Sequence, residues 1–447
     1  MASERGRRVL WGYQNALLRR QVVHAAAHSP FYRRKFAEHG VDPRAIRTAS
    51  DLGRLGFYTH PEDLQADPYD FLAVPREEIL HAMSSSGATG RPKIVFFSKR
   101  DWELAGRLVG NALTMMGVTP ADVAQILFCY GNPFWATGGL IESALERIGT
   151  CILPAGNSLS VAQQIEMMQQ FGTTMLLGTP SYLHRLTEEG RKLCNLRSLE
   201  VRLIRLGAEP WSEALRQHLE EAWGAAVYDA YGMIELGAAG AGECAAVSGL
   251  HLSPYLLVEV VHPETGEPLP RGELGELVFT TMARDATPLL RYRSGDLGQL
   301  LADEVCPCGE LPTDRIGRIA GRCDDMLFLG TGENTFPAQF GTAITGIEGV
   351  TGYQVIIDKA DYRDRLRIRV EVAVPREDLE HIIRQRLYHE IHFLEYEIDQ
   401  SQSVAPLEIE WLEPGTLHRE SPMKVRTLVD RRPQAREPGK PAGGTGA

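Results

Sequence analysis

Cysteine is scarce, with 7 in 447 residues. That excludes a disulfide framework and fits a chain whose thiols stay reduced. No stretch approaches the roughly 18 consecutive apolar residues of a membrane-spanning helix. The opening MASERGRRVLWGYQNALLRRQ is basic and amphipathic and lacks the continuous apolar core of a secretory signal. These absences predict a cytoplasmic protein with no membrane partner. Positive charge is also in short supply: 47 Lys and Arg stand against 58 Asp and Glu, a net charge of −11. Nucleic acid held by bulk charge is thereby excluded. An anionic small molecule is not, because local loops bind phosphate whatever the net charge. The chain has no internal repeat. Its one biased stretch is the tail RRPQAREPGKPAGGTGA, whose Pro, Gly and charge predict disorder over 432–447.

What is present is ordinary globular composition, 43% apolar and 23% charged, in a length that predicts two or three domains. Leu10, Leu17, Leu18 and Val22 are spaced for one face of an N-terminal helix. From residue 123 to 231, apolar runs such as VAQILFCY, TMLLGT, VRLIRLGAE and AAVYDAYG alternate with helical patterns. Buried runs between helices imply parallel strands under crossover helices. After about residue 250, LLVEVVHPETGEPLPRGELGELVFTTM reads as antiparallel hairpins with Gly/Pro turns. From Asp324 a smaller α+β unit is expected, with strands near 352–358, 364–373 and 406–412 and a helix near 376–391. The predicted class is therefore α/β: a large domain over 1–323 with parallel sheets under helices plus an antiparallel part, then a small mobile α+β domain over 324–431.

Three segments carry chemistry. SSSGATGRPK (Ser84–Lys93) lies between two short strands. Its glycines and hydroxyls let backbone N–H groups close around phosphate oxygens, with Arg91 and Lys93 adding charge; alone, it reads equally as a flexible turn. YDAYGMIE (Tyr228–Glu235) places an aromatic ring, a glycine and a carboxylate at a strand end. Tyr231 suits stacking on a purine, and Glu235 suits a Mg²⁺ ligand; an edge strand entering a turn is the plainer alternative. In LRYRSGDLG (Leu290–Gly298), Asp296 sits where a carboxylate can accept two ribose hydroxyls, and Arg322 and Asp324 follow at the expected domain junction. Surface ion pairs are the alternative there.

In this order the segments resemble the signature of the adenylate-forming enzymes: acyl-CoA synthetases, adenylation domains and luciferases. KVRTLVD resembles the segment bearing that superfamily's catalytic lysine, here Lys424. HSPFYRRKF, GTPSYLHRL, GAEPWSEALR, GELGELVFTTM and NTFP extend the likeness to the phenylacetate–CoA ligase family over nearly the whole chain. The resemblance implies a two-step reaction. A carboxylate attacks the α-phosphate of ATP, giving an acyl-adenylate and pyrophosphate, and a thiol, usually coenzyme A, then displaces AMP.

Carried over residue by residue, it implies that Ser85, Ser86, Gly87, Thr89 and Gly90 hold the β- and γ-phosphates. Ala208, Glu209 and Pro210 border the adenine, with Ala230, Gly232 and Met233 beside the stacking Tyr231. Asp229 accepts the adenine amino group. Asp296 and Arg322 hold the ribose, Glu235 holds Mg²⁺, and Lys424 bridges the carboxylate and phosphate oxygens. The small domain rotates about Asp324 between the two steps, bringing the loop around Gly330–Asn334 to the site. The resemblance further implies a homodimer, with the N-terminal helix as its candidate surface. Ala88 and Gly341 depart from the family pattern, and Lys424 is the only lysine of its segment. These departures keep open an alternative: an aryl-acid adenylating enzyme of natural-product assembly, delivering its acyl group to a carrier-protein thiol, an amine or a hydroxyl.

Cys244, His251, Cys306 and Cys308 form a chemically suitable set for structural Zn²⁺, although their spacing fits no standard finger and separate thiols are the alternative. Some relatives carry a Cys/His zinc site in this region. Finally, YGNPFWATGG offers Tyr130, Phe134, Trp135, Ala136, Gly138 and Gly139 as the walls of a pocket for a small aromatic carboxylic acid, with two ordinary core aromatics as the alternative. No charge in that stretch points to a charged substrate tail.

Overall fold

The computed structural model describes residues 2–85, 93–128, 130, 137–237, 240–302, 305–309, 312–323, 327–330, 333–335, 337–360, 362–374, 376–420 and 427–432. The chain divides into two compact units, Met1–Asp325 and Met326–Ala447. Mixed α/β architecture with a parallel-rich sheet, an antiparallel sheet and a distinct C-terminal unit is what the sequence pattern predicts.

The first unit is built on an eight-stranded sheet of described residues. Its order runs Arg315–Ile316, Leu250–Leu252, Ala241–Gly242, Ala226–Tyr231, Leu203–Gly207, Met175–Gly178, Val123–Ile126 and Cys151–Leu153. The last five are mutually parallel, and the first three run antiparallel. Alternate residues of the parallel strands feed two apolar layers, as a sheet covered on both faces requires. Ala124, Ile126, Met175, Leu177 and Leu203 pack with Leu113, Leu140 and Ala144, under the helices Lys99–Met115 and Thr137–Ile148. Leu176, Ile204, Leu206 and Val227 pack with Ile165, Leu183 and Leu219, under Val161–Phe171, Pro180–Gly190 and Glu213–Trp223.

The helix Lys99–Met115 has a sequence-encoded start. Ser98 Oγ accepts from Asp101 N at 3.1 Å, and Asp101 returns a bond to Ser98 N at 3.0 Å. Asp101 also accepts from the backbone N–H groups of Asp285 and Ala286, at 2.7 and 2.9 Å. One carboxylate thus caps a helix and ties it to the antiparallel region. That region orders Leu256–Val261, Gly275–Thr281, Tyr292–Gly298 and Gly321–Arg322. The N-terminal helix Ala2–His28 buries Leu18, Val22 and Ala25 against Phe31, Tyr32, Leu289 and Tyr292. Leu10 and Leu17 are only half-buried, so the stripe lies further along the helix than their spacing suggests.

In the second unit, Glu408–Leu412, Arg363–Val372, Val350–Ala360 and Leu428–Asp430 form a sheet, with the helix Leu379–Glu390 contributing Ile383 and Leu387 to the core. Among the described residues no helix is long and apolar enough to cross a membrane.

Candidate active site

Two side-chain networks gather where the parallel strands meet the antiparallel sheet. The first centres on Glu235, which is 1% exposed in the short turn Ile234–Leu236 just past the strand Ala226–Tyr231. Its Oε1 lies 2.6 Å from Lys93 Nζ and accepts from Tyr292 OH at 3.1 Å. Oε2 has no partner among the described residues. Lys93 stands at the base of the hairpin Ile79–Ser84/Ile94–Ser98, locked to Ser85: Ser85 N donates to Lys93 O at 2.9 Å, and Lys93 N to Ser85 Oγ at 3.1 Å. The expected phosphate loop therefore springs from a base held beside Glu235. Its remaining residues Ser86, Gly87, Thr89 and Gly90 lie outside the described residues. The charge of Lys93 is engaged by Glu235 rather than left to the loop. Burial and the facing Glu235 hold the Tyr292 hydroxyl protonated, well above its ordinary range.

The second network centres on Asp296. Backbone pairing sets it opposite Arg322 across the antiparallel sheet. Arg322 Nη1 donates to Asp296 Oδ1 at 2.9 Å, and Tyr231 OH to Oδ2 at 2.7 Å. Burial raises the Asp296 carboxyl; Arg322 and Tyr231 oppose the rise, while the nearby charge of Glu235 adds to it. The Tyr231 ring is covered on one side by Phe279, with ring centres 6.0 Å apart. Met233 lies next to its hydroxyl, with Sδ at 4.0 Å.

Asp229, two residues before Tyr231 on the same strand, accepts from Trp211 Nε1 at 2.9 Å, and Arg318 Nε stands 3.8 Å from its other oxygen. Its backbone N–H is held by Glu243 at 2.6 Å. Burial pushes the Asp229 carboxyl up to about 6. At the end of the adjacent strand, Ala208 adopts φ +70°, a left-handed conformation that costs a non-glycine residue roughly 1 kcal/mol or more. Ser181 braces this bend, its N and Oγ both donating to Glu209 at 3.0 Å. Gly207 is required there, because a Cβ would fall 2.9 Å from the Ala230 carbonyl oxygen. Pro210 and Gly232 are exposed, and Ala230 is buried.

Of the expected acyl pocket, Phe134, Trp135 and Ala136 lie outside the described residues, as do Lys424 and Asp324. Tyr130 OH donates to Glu142 Oε1 at 2.6 Å. Its ring crowds the start of the helix Thr137–Ile148 so closely that a Cβ on Gly138 would fall 2.8 Å from it. Gly139 faces open space.

Apart from these networks, the Cys/His set converges. Cys244, His251, Cys306 and Cys308 present ligand atoms all within 4.8 Å of one another. Cys244 Sγ and Cys306 Sγ are 3.6 Å apart, and Cys308 Sγ and His251 Nε2 are 3.6 Å apart. A tetrahedral Zn²⁺ with ordinary bond lengths spaces its ligands at about 3.6–3.8 Å. His251 Nδ1 lies 3.2 Å from Thr313 Oγ1, which leaves Nε2 turned to the three thiols. The donor set and its geometry fit zinc. Sequence reasoning missed a second convergence, His184, Glu188 and His218, where His218 Nε2 is 2.8 Å from Glu188 Oε1. His184 and Glu188 do stand four apart on one helix face, which was the available signal.

Parallel strands ending in buried carboxylates and aromatics, with an antiparallel sheet and a second compact unit, fit the architecture of an adenylate-forming enzyme. Residues 20–283 match the AMP-binding enzyme family, and residues 332–432 match its C-terminal domain. Phenylacetate–coenzyme A ligase of Thermus thermophilus is 35% identical over 441 residues, covering 95% of this chain and 97% of that protein. The Escherichia coli enzyme of the same name is 32% identical, covering 86% of this chain and 87% of that protein. Among solved structures, 2-hydroxyisobutyryl-CoA ligase in its post-adenylation state shares the fold, with a TM-score of 0.81 at 24% identity over 93% of this chain and 88% of that one. The chain belongs to the phenylacetate–coenzyme A ligase family, and is thus an AMP-forming acid–CoA ligase. The alternative acceptors weighed from the sequence are not favoured, because the relatives that span the chain are CoA ligases.

Proposed function

We propose that the enzyme activates an aryl carboxylic acid, phenylacetate- or benzoate-like, and passes the acyl group to coenzyme A. In the first step a carboxylate oxygen bonds to the α-phosphorus of ATP and pyrophosphate leaves. In the second the coenzyme A sulfur bonds to the acyl carbon and AMP leaves. Both steps place negative charge where preorganised cations and N–H groups lower the barrier.

The observation that carries this reading is the joining of Glu235 with Lys93, and of Asp296 with Arg322 and Tyr231, at one edge of the sheet. Asp296 would take the ribose hydroxyls, Arg322 would fix its orientation, and Tyr231 would stack on adenine with the face that Phe279 leaves free. Glu209 and Pro210 would border the base beside the bend at Ala208, and Asp229 would accept the adenine amino group. Ser85 and the loop residues Ser86, Gly87, Thr89 and Gly90 would hold the β- and γ-phosphates, and Lys424 would bridge carboxylate and phosphate in the first step. Mg²⁺, when bound, supplies charge neutralisation on the triphosphate; the free Oε2 of Glu235 suits that ligand. Cys244, His251, Cys306 and Cys308 would hold a structural Zn²⁺ whose four protein ligands leave no open position. Asp324 would be the hinge of the small domain, and a homodimer in the cytoplasm completes the reading.

Pyrophosphate release from ATP and Mg²⁺ tests it against a panel of aryl and alkyl acids. Release with aryl acids is expected. Release with none of the acids contradicts the proposal.

A further inference from the structure

The sequence 130–139 carries no cation, but the large sheet of the first unit does. Arg205 lies in the middle of the strand Leu203–Gly207. Strand register sets it between Leu177 and Tyr228, with Ile126 one strand further. Ile126, Leu177 and Tyr228 all belong to the apolar layer under the helices Lys99–Met115 and Thr137–Ile148. Arg205 therefore points into that same layer. Asp229 is on the neighbouring strand but faces the other way, towards Trp211.

Two features mark this arginine. Its Nε is buried with no acceptor among the described residues, and the charge that acts on it is that of Asp229, from the other face of the neighbouring strand. Yet the residue is not fully covered, whereas Leu177 and Tyr228 on either side are buried. Space must therefore open over the guanidinium. The strands explain where. Two residues further along, on the same face, stand Gly207 with no side chain and Ala230 with a single methyl. Beyond this row lie Phe128 and then Tyr130, packed on Gly138. Arg205 thus shares its face of the sheet with Phe128, at the strand end that leads to Tyr130, a described residue of the stretch assigned to the acid.

We propose that Arg205 determines acyl specificity. It selects an acid bearing an oxygen acceptor, best a carboxylate, at the end remote from the carboxyl group that is activated. This rests on the acid-activating function proposed above. An unpaired buried cation raises the free energy of the empty site, and an anion that pairs with it removes that cost on binding. Burial lowers the guanidinium to about 10, so it still carries its charge at neutral pH.

The test compares three acids on the full-length enzyme: phenylacetate, 4-hydroxyphenylacetate and 4-carboxyphenylacetate. Pyrophosphate release gives kcat/KM, and calorimetry gives binding without turnover. The carboxylated acid should exceed phenylacetate by about tenfold or more, the scale of a charged hydrogen bond. In Arg205→Met that ratio should collapse at least tenfold; Arg205→Lys, which keeps the charge with fewer donors, should fall between. The melting temperature of ligand-free Arg205→Met should rise, since a buried charge whose Nε lacks an acceptor is gone. A preference for 4-hydroxyphenylacetate that also depends on Arg205 would narrow the acceptor to a neutral oxygen. A preference for phenylacetate that Arg205→Met leaves unchanged overturns the proposal while leaving the ligase reading intact. Arg205-dependent binding without turnover of any acid would do the reverse. Neither binding nor turnover would overturn both.

Discussion

At the scale of single residues, the account turns on groups held in costly states. Burial lifts the Asp229 carboxyl from its ordinary 3.8 to about 6. A raised carboxyl favours the protonated folded state, so this contribution to stability is present below about pH 4 and is lost as pH rises through 6. Its use as an acceptor runs the other way: below pH 6 the carboxylate disappears. The KM for ATP should therefore rise as pH falls through 6, and Asp229→Asn should flatten that part of the profile. Gly207 makes a second test. Gly207→Ala sets a methyl 2.9 Å from a backbone oxygen that cannot move aside. It should cost about 1–3 kcal/mol of stability, read by chemical denaturation, and weaken nucleotide binding by shifting the bend at Ala208. The residue types at these positions were legible in the sequence, because Asp, Tyr, Gly and Glu recur in a recognisable order. Their partners were not. Lys93 reads as a phosphate ligand in sequence, and only the fold shows its pairing with Glu235, 142 positions along the chain. Arg205 sits in an apolar run that says nothing of which face it takes or what stands opposite.

Among the elements, the alternation of apolar runs and helical patterns fixed the parallel strands well, because strands buried on both faces leave unbroken apolar stretches. VAQILFCY promises a longer strand than the observed Val123–Ile126, after which only Leu127 N still donates to the neighbouring strand, at Leu177 O, among the described residues. The helix Lys99–Met115 was overlooked despite its Ser98–Asp101 capping box. The antiparallel strands Ala241–Gly242, Leu250–Leu252 and Arg315–Ile316 are too short to show a period, yet they bring the four Cys/His ligands together. Sequence spacing alone left that set open, because strand pairing rather than a compact motif makes the site. Cys306→Ser should release zinc, measured by mass spectrometry of the metal, and lower the melting temperature. Unchanged metal content removes the zinc assignment.

For the whole molecule, the chain divides into two compact units, Met1–Asp325 and Met326–Ala447, and the proposed alternation assigns them different parts in the two half-reactions. In the proposed alternation Lys424 serves adenylation alone. Lys424→Ala should slow pyrophosphate release by orders of magnitude yet spare thioester formation from supplied acyl-adenylate. Asp324→Pro, which fixes φ at the hinge, should spare adenylation and impair thioester formation. Equal loss in both half-reactions for both variants contradicts alternation. The family and its two-step chemistry were legible at this scale because the motifs run in order over nearly the whole chain. The acid was not, because an apolar run does not show which of its side chains share a face with residues of other strands.

The most direct measurement is mass spectrometry of the products formed from ATP, Mg²⁺, coenzyme A and an aryl acid. The account predicts AMP and an aryl-CoA thioester in equal amounts, with pyrophosphate. AMP and pyrophosphate accumulating with no thioester would contradict it.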